Sequence, residues 1–171
     1  IFSENEEIKS AQLKGKELFN NIGCASCHMP TLPLKSLMFV EPGPLNTEIS
    51  TTIVESKKTL VVNLEDYVSK LDKDEDGNYL IPIWSDLKRH DMGSKLDNER
   101  PLQKGVPTNY WLTKKLWGFY SEPPFLHHGR ANLLNDVIEM HQGDAKISSD
   151  AYFELDSSEQ QYLIEFLKSF K

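Results

Sequence analysis

Two cysteines three positions apart, followed at once by a histidine, constrain this chain more than any other feature. Cys24, Cys27 and His28 stand in the stretch "CASCH", and the 171-residue chain has no other cysteine. In a covalent haem c site each thiol adds to a vinyl group of the porphyrin, and the histidine ligates the iron. Cys24 and His28 are four positions apart, so one helical turn puts them on the same side. The motif predicts one covalent haem c with His28 as proximal ligand.

Three other uses of a close cysteine pair fit the sequence less well. A disulfide or a redox dithiol gives no role to a histidine directly behind Cys27, and the βαβ pattern that accompanies thioredoxin-like dithiols is missing. Zinc would need a second cysteine or histidine pair at finger-like spacing. The other histidines make no such pattern; they are His90, His127, His128 and His141.

The excess of acidic residues limits the kinds of molecule that this chain is expected to bind. Asp and Glu number 26 against 19 Lys and Arg, which gives a net charge of -7. An acidic chain is a poor match for nucleic acid or an anionic membrane surface. No apolar run approaches the roughly 18 residues that span a bilayer. The first residue is Ile1 with no leader pattern behind it, which indicates a processed or cut end.

Helical periodicity is clear at both ends of the chain. Residues 8–23 predict an amphipathic helix that Gly23 ends, and residues 156–171 predict a last helix capped by Ser157 or Ser158. A central helix is predicted over 132–141. Gly15 would allow an aromatic residue of the last helix, Tyr162 or Phe166, to approach the first helix closely.

The middle of the chain has a different pattern. Residues 31–83 are rich in proline and predict an irregular insertion with a two-stranded ribbon, formed by "KKTLVVNLEDYV" and "GNYLIPIWSDL". With a helix first, the haem motif after it and a helix last, the expected fold is mainly α. It is a single class I cytochrome c-like domain over residues 1–171, with long loops and the small ribbon insertion.

The charged stretch "DKDEDG" between the two predicted strands copies the first half of a calcium-binding loop. Asp72, Asp74 and Asp76 precede Gly77 as in an EF-hand, but Ile83 stands where the closing acid belongs. A solvated turn is therefore preferred over a calcium site.

Several stretches together resemble the C-terminal haem domain of bacterial di-haem cytochrome c peroxidase-like proteins, in particular their di-haem or thiol oxidoreductase branch. They are "GKELFNNIGCASCH", "WSDLKRHDMGSKL", "KKLWGFYSEPPFLHHGRANLLNDVIEMHQGDA" and "SSEQQYLIEFLKSF". The resemblance implies two haems in two domains, of which the N-terminal one reacts with peroxide and the C-terminal one stores and passes electrons. This chain has one haem motif, so it matches the electron-transfer half, and the partner is expected to be an upstream haem domain or another redox protein.

The sixth iron ligand decides between electron transfer and an open reactive site. In a class I domain the ligand loop precedes the last helix, which leaves Met140 and His141. The resembling peroxidases have an axial methionine fourteen residues after a loop histidine, and the same count from His127 reaches His141. His141 is the preferred sixth ligand and Met92 the main alternative.

The sequence also offers a candidate for contact with the haem edge and candidates for the wall of the haem pocket. Arg130 suits a haem propionate because its guanidinium matches carboxylates. The aromatic residues of the second half are predicted to form core and pocket wall: Trp84, Tyr110, Trp111, Trp117, Tyr120 and Phe125.

The expected function is electron transfer by a haem domain of a peroxidase-like oxidoreductase; the alternative is a stand-alone haem peroxidase or thiol oxidase with open iron. Covalent haem attachment implies a periplasmic or other extracytoplasmic location. Whether the chain is itself an enzyme stays open.

Overall fold

Two helices from opposite ends of the chain make the main packing contact of the fold. A computed structural model describes residues 2–41, 60–97, 105–121 and 123–170. Helix α1, Glu6–Asn21, packs along helix α5, Ser157–Leu167. Both were predicted from the helical period of their apolar residues, and both predictions are confirmed.

Helix α1 begins and ends as its sequence dictates. The Asn5 side chain accepts hydrogen bonds from the backbone N–H groups of Glu7 and Ile8, at 3.0 and 3.1 Å. These bonds satisfy two of the donors that a helix start leaves without an intrahelical partner. The helix buries Gln12, Gly15 and Phe19, which its 3.6-residue period places on one face.

Helix α5 has a different cap from the predicted one. Asp156, not Ser157 or Ser158, is the N-cap residue, and Glu159 completes a capping box by accepting from the Asp156 backbone N–H. The carboxylate is the better cap here because Ser158 and Glu159 can both donate their backbone N–H groups to it.

Gly15 marks the closest approach of the two helices. A Cβ atom at this position would collide with the backbone carbonyl of Tyr162 and lie 2.7 Å from the Cβ of Phe166. The prediction that Gly15 permits close approach by this part of the last helix is confirmed. Only a residue without a side chain lets the backbones pack at this distance.

Two shorter helices precede α5. Helix α3, Leu134–Glu139, is shorter than predicted, and helix α4, Lys146–Glu154, was not predicted. Ser149 and Tyr152 are buried on α4 although its apolar period is weak. The core cluster joins these helices to α1 and α5; it contains Phe19, Leu116, Leu134, Tyr152, Leu163, Phe166 and Leu167.

The predicted fold class is wrong. The described residues are 41% helical and 17% strand with several small sheets, and a mainly α, class I cytochrome c-like fold with one ribbon does not describe them. Three separate two-stranded antiparallel sheets occur among the described residues. Strand β1, Leu32–Leu34, pairs with β4, Tyr79–Ile81, and β2, Met38–Glu41, pairs with β3, Leu60–Asn63.

The third sheet pairs strand β5, Arg89–Asp91, with β6, Tyr110–Leu112. The two segments that were predicted to pair with each other supply β3 and β4. Instead, β3 pairs with β2 and β4 pairs with β1, and both partner strands come from the proline-rich stretch. Pro33 is compatible with β1 because an edge strand needs only part of its backbone donors. Propensity identified strand-forming segments but carried no information about their partners.

The chain divides into two compact units. One contains Ile1–Pro30 and Ile83–Lys171, and therefore α1, α3, α4, α5 and the β5–β6 sheet. The other is Thr31–Pro82, with the β1–β4 and β2–β3 sheets and the short helix α2, Glu65–Val68. Within the described ranges, no helix combines the length and apolar character that crossing a membrane requires.

Candidate haem site

The cysteine motif follows directly from the end of α1. Gly23 takes a left-handed backbone conformation, with φ of 90°, and turns the chain into a 3-10 turn over Cys24–Ser26. The His28 backbone N–H donates to the Cys24 carbonyl at 3.0 Å, which places the two residues one turn apart. Cys24 also packs against the core cluster, so the motif is anchored to α1 and α5.

Both thiols are unpaired and protonated at neutral pH. Exclusion of water by the surrounding protein raises the pKa of Cys24 to about 11, and the neighbouring Cys27 adds to that shift. The pKa of Cys27 is also raised, first by burial and then by the carboxylates of Asp86 and Asp144. A redox dithiol needs the opposite shift to supply a thiolate, so this environment does not favour that use.

His28 is held by a backbone carbonyl. Its Nδ1 lies 3.2 Å from the Trp84 carbonyl oxygen, and donation across this contact leaves Nε2 as the unprotonated nitrogen. Burial lowers the pKa of His28 to about 4, with a further decrease from nearby His141; the carbonyls of Trp84 and Lys114 act in the opposite direction. The ring is therefore neutral at pH 7, the form that binds metals.

His141 has the same arrangement. It follows α3, and its Nδ1 lies 2.7 Å from the Val137 carbonyl oxygen, four residues earlier. Donation to this carbonyl again leaves Nε2 unprotonated, and burial lowers the pKa of the ring. A hydrogen bond on the second nitrogen is the usual way in which a metal-binding histidine is oriented.

The two imidazole rings lie close together and are tilted against each other. Their ring centroids are 6.4 Å apart, with an interplanar angle of 46°. A metal bound between two imidazole nitrogens at about 2.0 Å from each would separate the ring centroids by roughly 6 Å. The spacing and the tautomers fit two axial ligands of one iron, and the thiols on the same motif fit the attachment of its porphyrin.

The segment 84–87 holds the cysteine motif at several points. The Trp84 N–H donates to the Pro30 carbonyl at 3.3 Å, and the Trp84 carbonyl accepts a hydrogen bond from His28 Nδ1. The Asp86 N–H donates to the Cys27 carbonyl at 2.8 Å. Trp84 adopts a left-handed backbone, with φ of 55°, which is uncommon for a bulky residue. Its ring packs on Phe19, Phe166 and Phe170, and this packing stabilises the strained conformation.

Sequence reasoning missed this role of Trp84. Trp84 supplies the carbonyl that holds His28 from 56 positions away in the sequence. Any residue has a carbonyl oxygen, so the sequence carries no signal for the one that is used. Asp86 was missed for the same reason, since its contact to Cys27 also uses the backbone.

Met92 and Arg130 are the other candidates that the sequence offered. Met92 is partly exposed and its backbone N–H donates to Asn109, while the imidazole ring that faces His28 is that of His141. Arg130 is exposed and takes part in none of the ion pairs formed by the described residues. Met92 stays the alternative ligand, because its neighbours Asp91 and Gly93 pack against Gln142 and Gly143, directly after His141. The role of Arg130 also stays a prediction.

The remaining histidines have other contacts. His90 Nε2 lies 2.8 Å from the Asp86 carboxylate, and its Nδ1 lies 3.7 Å from Asp144. His127 stacks on Trp111 with ring centroids 3.7 Å apart. The expectation that the aromatics form core and wall holds for Trp84 and Phe125, which pack against the core cluster, but Tyr110, Trp117 and Tyr120 are exposed.

The "DKDEDG" stretch forms a closed turn. The Asp74 carboxylate accepts hydrogen bonds from the backbone and side chain of Asn78, and Gly77 donates its N–H to the Asp74 carbonyl. Across the residues that the structure describes, no three metal-binding side chains converge on one point. These contacts favour the turn that the sequence predicted over a calcium loop.

Comparison with known proteins identifies the family. The family model described as "Di-haem oxidoreductase, putative peroxidase" matches residues 74–170, more than half of the chain. The chain belongs to this di-haem oxidoreductase family. Neither the curated proteins nor the solved structures contain a match.

Membership in the di-haem oxidoreductase family implies a haem cofactor. The matched range contains Trp84, Met92 and His141, whereas Cys24, Cys27 and His28 precede it. The motif and the family match are therefore independent observations from different parts of the chain, and both indicate haem.

Proposed function

We propose that the chain is the electron-transfer domain of a di-haem oxidoreductase. Cys24 and Cys27 would attach one haem c, with His28 and His141 as its axial ligands. The observation that carries the proposal is the facing pair of neutral imidazoles at 6.4 Å, each with its Nδ1 directed to a backbone carbonyl. Arg130 is the proposed partner of a haem propionate.

The chain's own residues would support fast electron transfer. Bound haem supplies one-electron ferric–ferrous chemistry. His28 and His141 are fixed by α3, by segment 84–87 and by the α1–α5 core, so ligand geometry changes little between oxidation states. With both axial positions filled, peroxide has no iron site to enter, and the alternative of a stand-alone peroxidase or thiol oxidase is disfavoured.

Location and partners follow from the same chemistry. Covalent haem attachment takes place outside the bacterial cytoplasm, which favours a periplasmic or other extracytoplasmic protein. An electron-transfer domain needs a donor and an acceptor, and the proposed partner is an upstream haem domain or a separate redox protein.

Covalent attachment is tested directly by mass. The intact chain from a host with haem c maturation should exceed its polypeptide mass by one haem, and the colour should stay with the denatured protein. A Cys24→Ser, Cys27→Ser double variant is the matched control and should have neither property. A wild-type chain with the bare polypeptide mass would contradict the proposal.

The role of Trp84 is tested by a pair of variants that differ by one methyl group. Trp84→Gly and Trp84→Ala both lose the ring, but only glycine adopts the left-handed backbone without strain. We expect the glycine variant to keep the reduction potential. The alanine variant should show a higher potential, because a weaker Nδ1 hydrogen bond makes His28 a weaker donor to iron.

Leu87 provides the control for this pair. It has the same left-handed backbone, with φ of 57°, but its side chain is exposed. Leu87→Gly and Leu87→Ala should have equal potentials, measured by spectroelectrochemical titration. Equal potentials in the Trp84 pair as well would show that its backbone does not tune the site.

A further inference from the structure

An exposed basic surface lies at one end of the β5–β6 sheet. The cationic patch consists of Lys88, Arg89, Lys114 and Lys115, all exposed. Arg89 is the cross-strand partner of Leu112, and the Thr113 N–H donates to the Lys88 carbonyl at 2.8 Å. The ladder therefore brings the two pairs of cations, far apart in sequence, to the same edge.

Apolar side chains are interspersed with these cations. Leu87 is 54% exposed, Leu112 56% and Trp117 45%. The Lys115 ammonium lies 4.9 Å from the centre of the Trp117 ring. Exposed apolar side chains next to charges that set orientation are typical of protein-binding surfaces.

The one contact that the described residues show for a charge of the patch is that of Lys115 with the Trp117 ring. No ion pair among the described ranges includes any of its four cations. Two carboxylates lie two positions from the patch cations in sequence. Asp86 has a side chain only 5% exposed and contacts His90. The Asp91 carboxylate accepts hydrogen bonds from Gly93 and Asn109. A local surplus of positive charge on a chain with net charge -7 indicates a specific use.

The patch adjoins the candidate haem site. Asp86, two residues before Lys88, donates its backbone N–H to Cys27 at 2.8 Å. The backbone carbonyl of Lys114 lies close enough to the His28 ring to affect its pKa. A partner seated on the patch would therefore be near the proximal side of the proposed haem.

We propose that the cationic patch is the docking surface for an acidic redox protein. This inference rests on the proposed function for its purpose, since docking here serves electron exchange. Charge complementarity selects the partner: the four cations attract an acidic surface, and Leu87, Leu112 and Trp117 supply the apolar contact. Complementary charges mainly raise the rate of encounter, which a fast electron-transfer pair needs.

The direction in which salt changes the electron-transfer rate shows whether the patch or the net charge of the whole chain controls the approach of a charged electron acceptor. One electron passes from the reduced protein to hexacyanoferrate(III), which becomes hexacyanoferrate(II), without proton transfer. If the patch guides the anion, the rate falls as salt is added; if the net charge of -7 governs, the rate rises. The cationic probe tris(phenanthroline)cobalt(III) should show the opposite trend to hexacyanoferrate.

Reversing the charge of patch residues tests whether the patch itself attracts the anion. Lys88→Glu, Lys115→Glu should slow oxidation by hexacyanoferrate(III) about tenfold at low salt. The double variant Lys9→Glu, Lys14→Glu changes the net charge equally but lies on α1. It should retain most of the wild-type rate, and both should keep the wild-type visible spectrum. Equal losses in the two double variants, or a rate that rises with salt in the wild type, would overturn the proposal.

Binding to an acidic flavodoxin, measured by calorimetry, tests the docking without relying on haem. The wild type should bind more weakly as salt rises, and Lys88→Glu, Lys115→Glu should lose about tenfold in affinity. If the wild-type chain binds flavodoxin but carries no haem, the proposed function is contradicted and the docking surface is supported. If the chain carries haem but its binding does not depend on the patch, the docking proposal is contradicted and the proposed function is unaffected. Patch-dependent self-association, or patch-dependent sedimentation with phosphatidylglycerol vesicles, would assign the patch to another occupant and overturn the proposal.

Discussion

Replacing His141 with alanine should convert the haem from low-spin to high-spin. The His28 ring faces that of His141 at 6.4 Å, and the Val137 carbonyl already fixes the tautomer that leaves Nε2 available. Loss of the second imidazole opens one axial position of the iron. The change should be visible in the absorption and electron paramagnetic resonance spectra, and added imidazole should restore the low-spin form.

The same variant should gain reactivity with hydrogen peroxide. If His28 and His141 both bind the iron, the wild-type chain should show negligible peroxidase turnover, whereas a position opened by the substitution would admit peroxide. Met92→Ala is the matched control and should retain the low-spin spectrum. A low-spin spectrum in the His141 variant together with its loss in Met92→Ala would transfer the ligand role to Met92. A high peroxidase rate in the wild type would contradict the proposed ligand pair.

The sequence predicted local features of the site better than long-range contacts. Cys24, Cys27 and His28 form a compact pattern with a specific chemical use. The spacing around His141, taken with the family resemblance, selected a residue whose ring lies 6.4 Å from that of His28, and its role as a ligand stays a prediction. Trp84 was not assigned its role because a backbone carbonyl leaves no residue-specific signal. The left-handed conformation of Trp84 depends on packing against Phe166 and Phe170, which periodicity does not encode.

For the fold as well, the sequence predicted elements with a long local pattern and did not predict contacts between distant segments. Helices α1 and α5 were predicted because their apolar residues repeat at the helical period over several turns. The strands are three or four residues long, and so short a pattern cannot specify its partner. Helix α4 was missed because burial of Ser149 and Tyr152 depends on its neighbours, including the Ile138 carbonyl that accepts from the Ser149 hydroxyl.

Replacing Gly15 with alanine should destabilise the whole helical unit. Helix propensity alone predicts the opposite, since alanine is favoured over glycine by about 1 kcal/mol in a helix interior. The new Cβ would collide with the Tyr162 carbonyl and lie 2.7 Å from the Phe166 Cβ, and a backbone carbonyl cannot rotate away. Overpacking costs about 1–3 kcal/mol, and a collision with backbone falls at the upper end of this range. After subtraction of the propensity gain of about 1 kcal/mol, we expect a net loss of about 2 kcal/mol.

This loss should reach the haem site because the two helices hold it from both sides. Phe19 on α1 and Phe166 on α5 both contact Trp84, whose carbonyl fixes His28. Urea denaturation followed by circular dichroism measures the stability, and the visible spectrum reports ligand loss in the same sample. Ser10→Ala, at an exposed position of α1, is the control and should be neutral or slightly stabilising. A Gly15→Ala variant as stable as Ser10→Ala would mean that propensity outweighs packing and that the helices separate easily at this point.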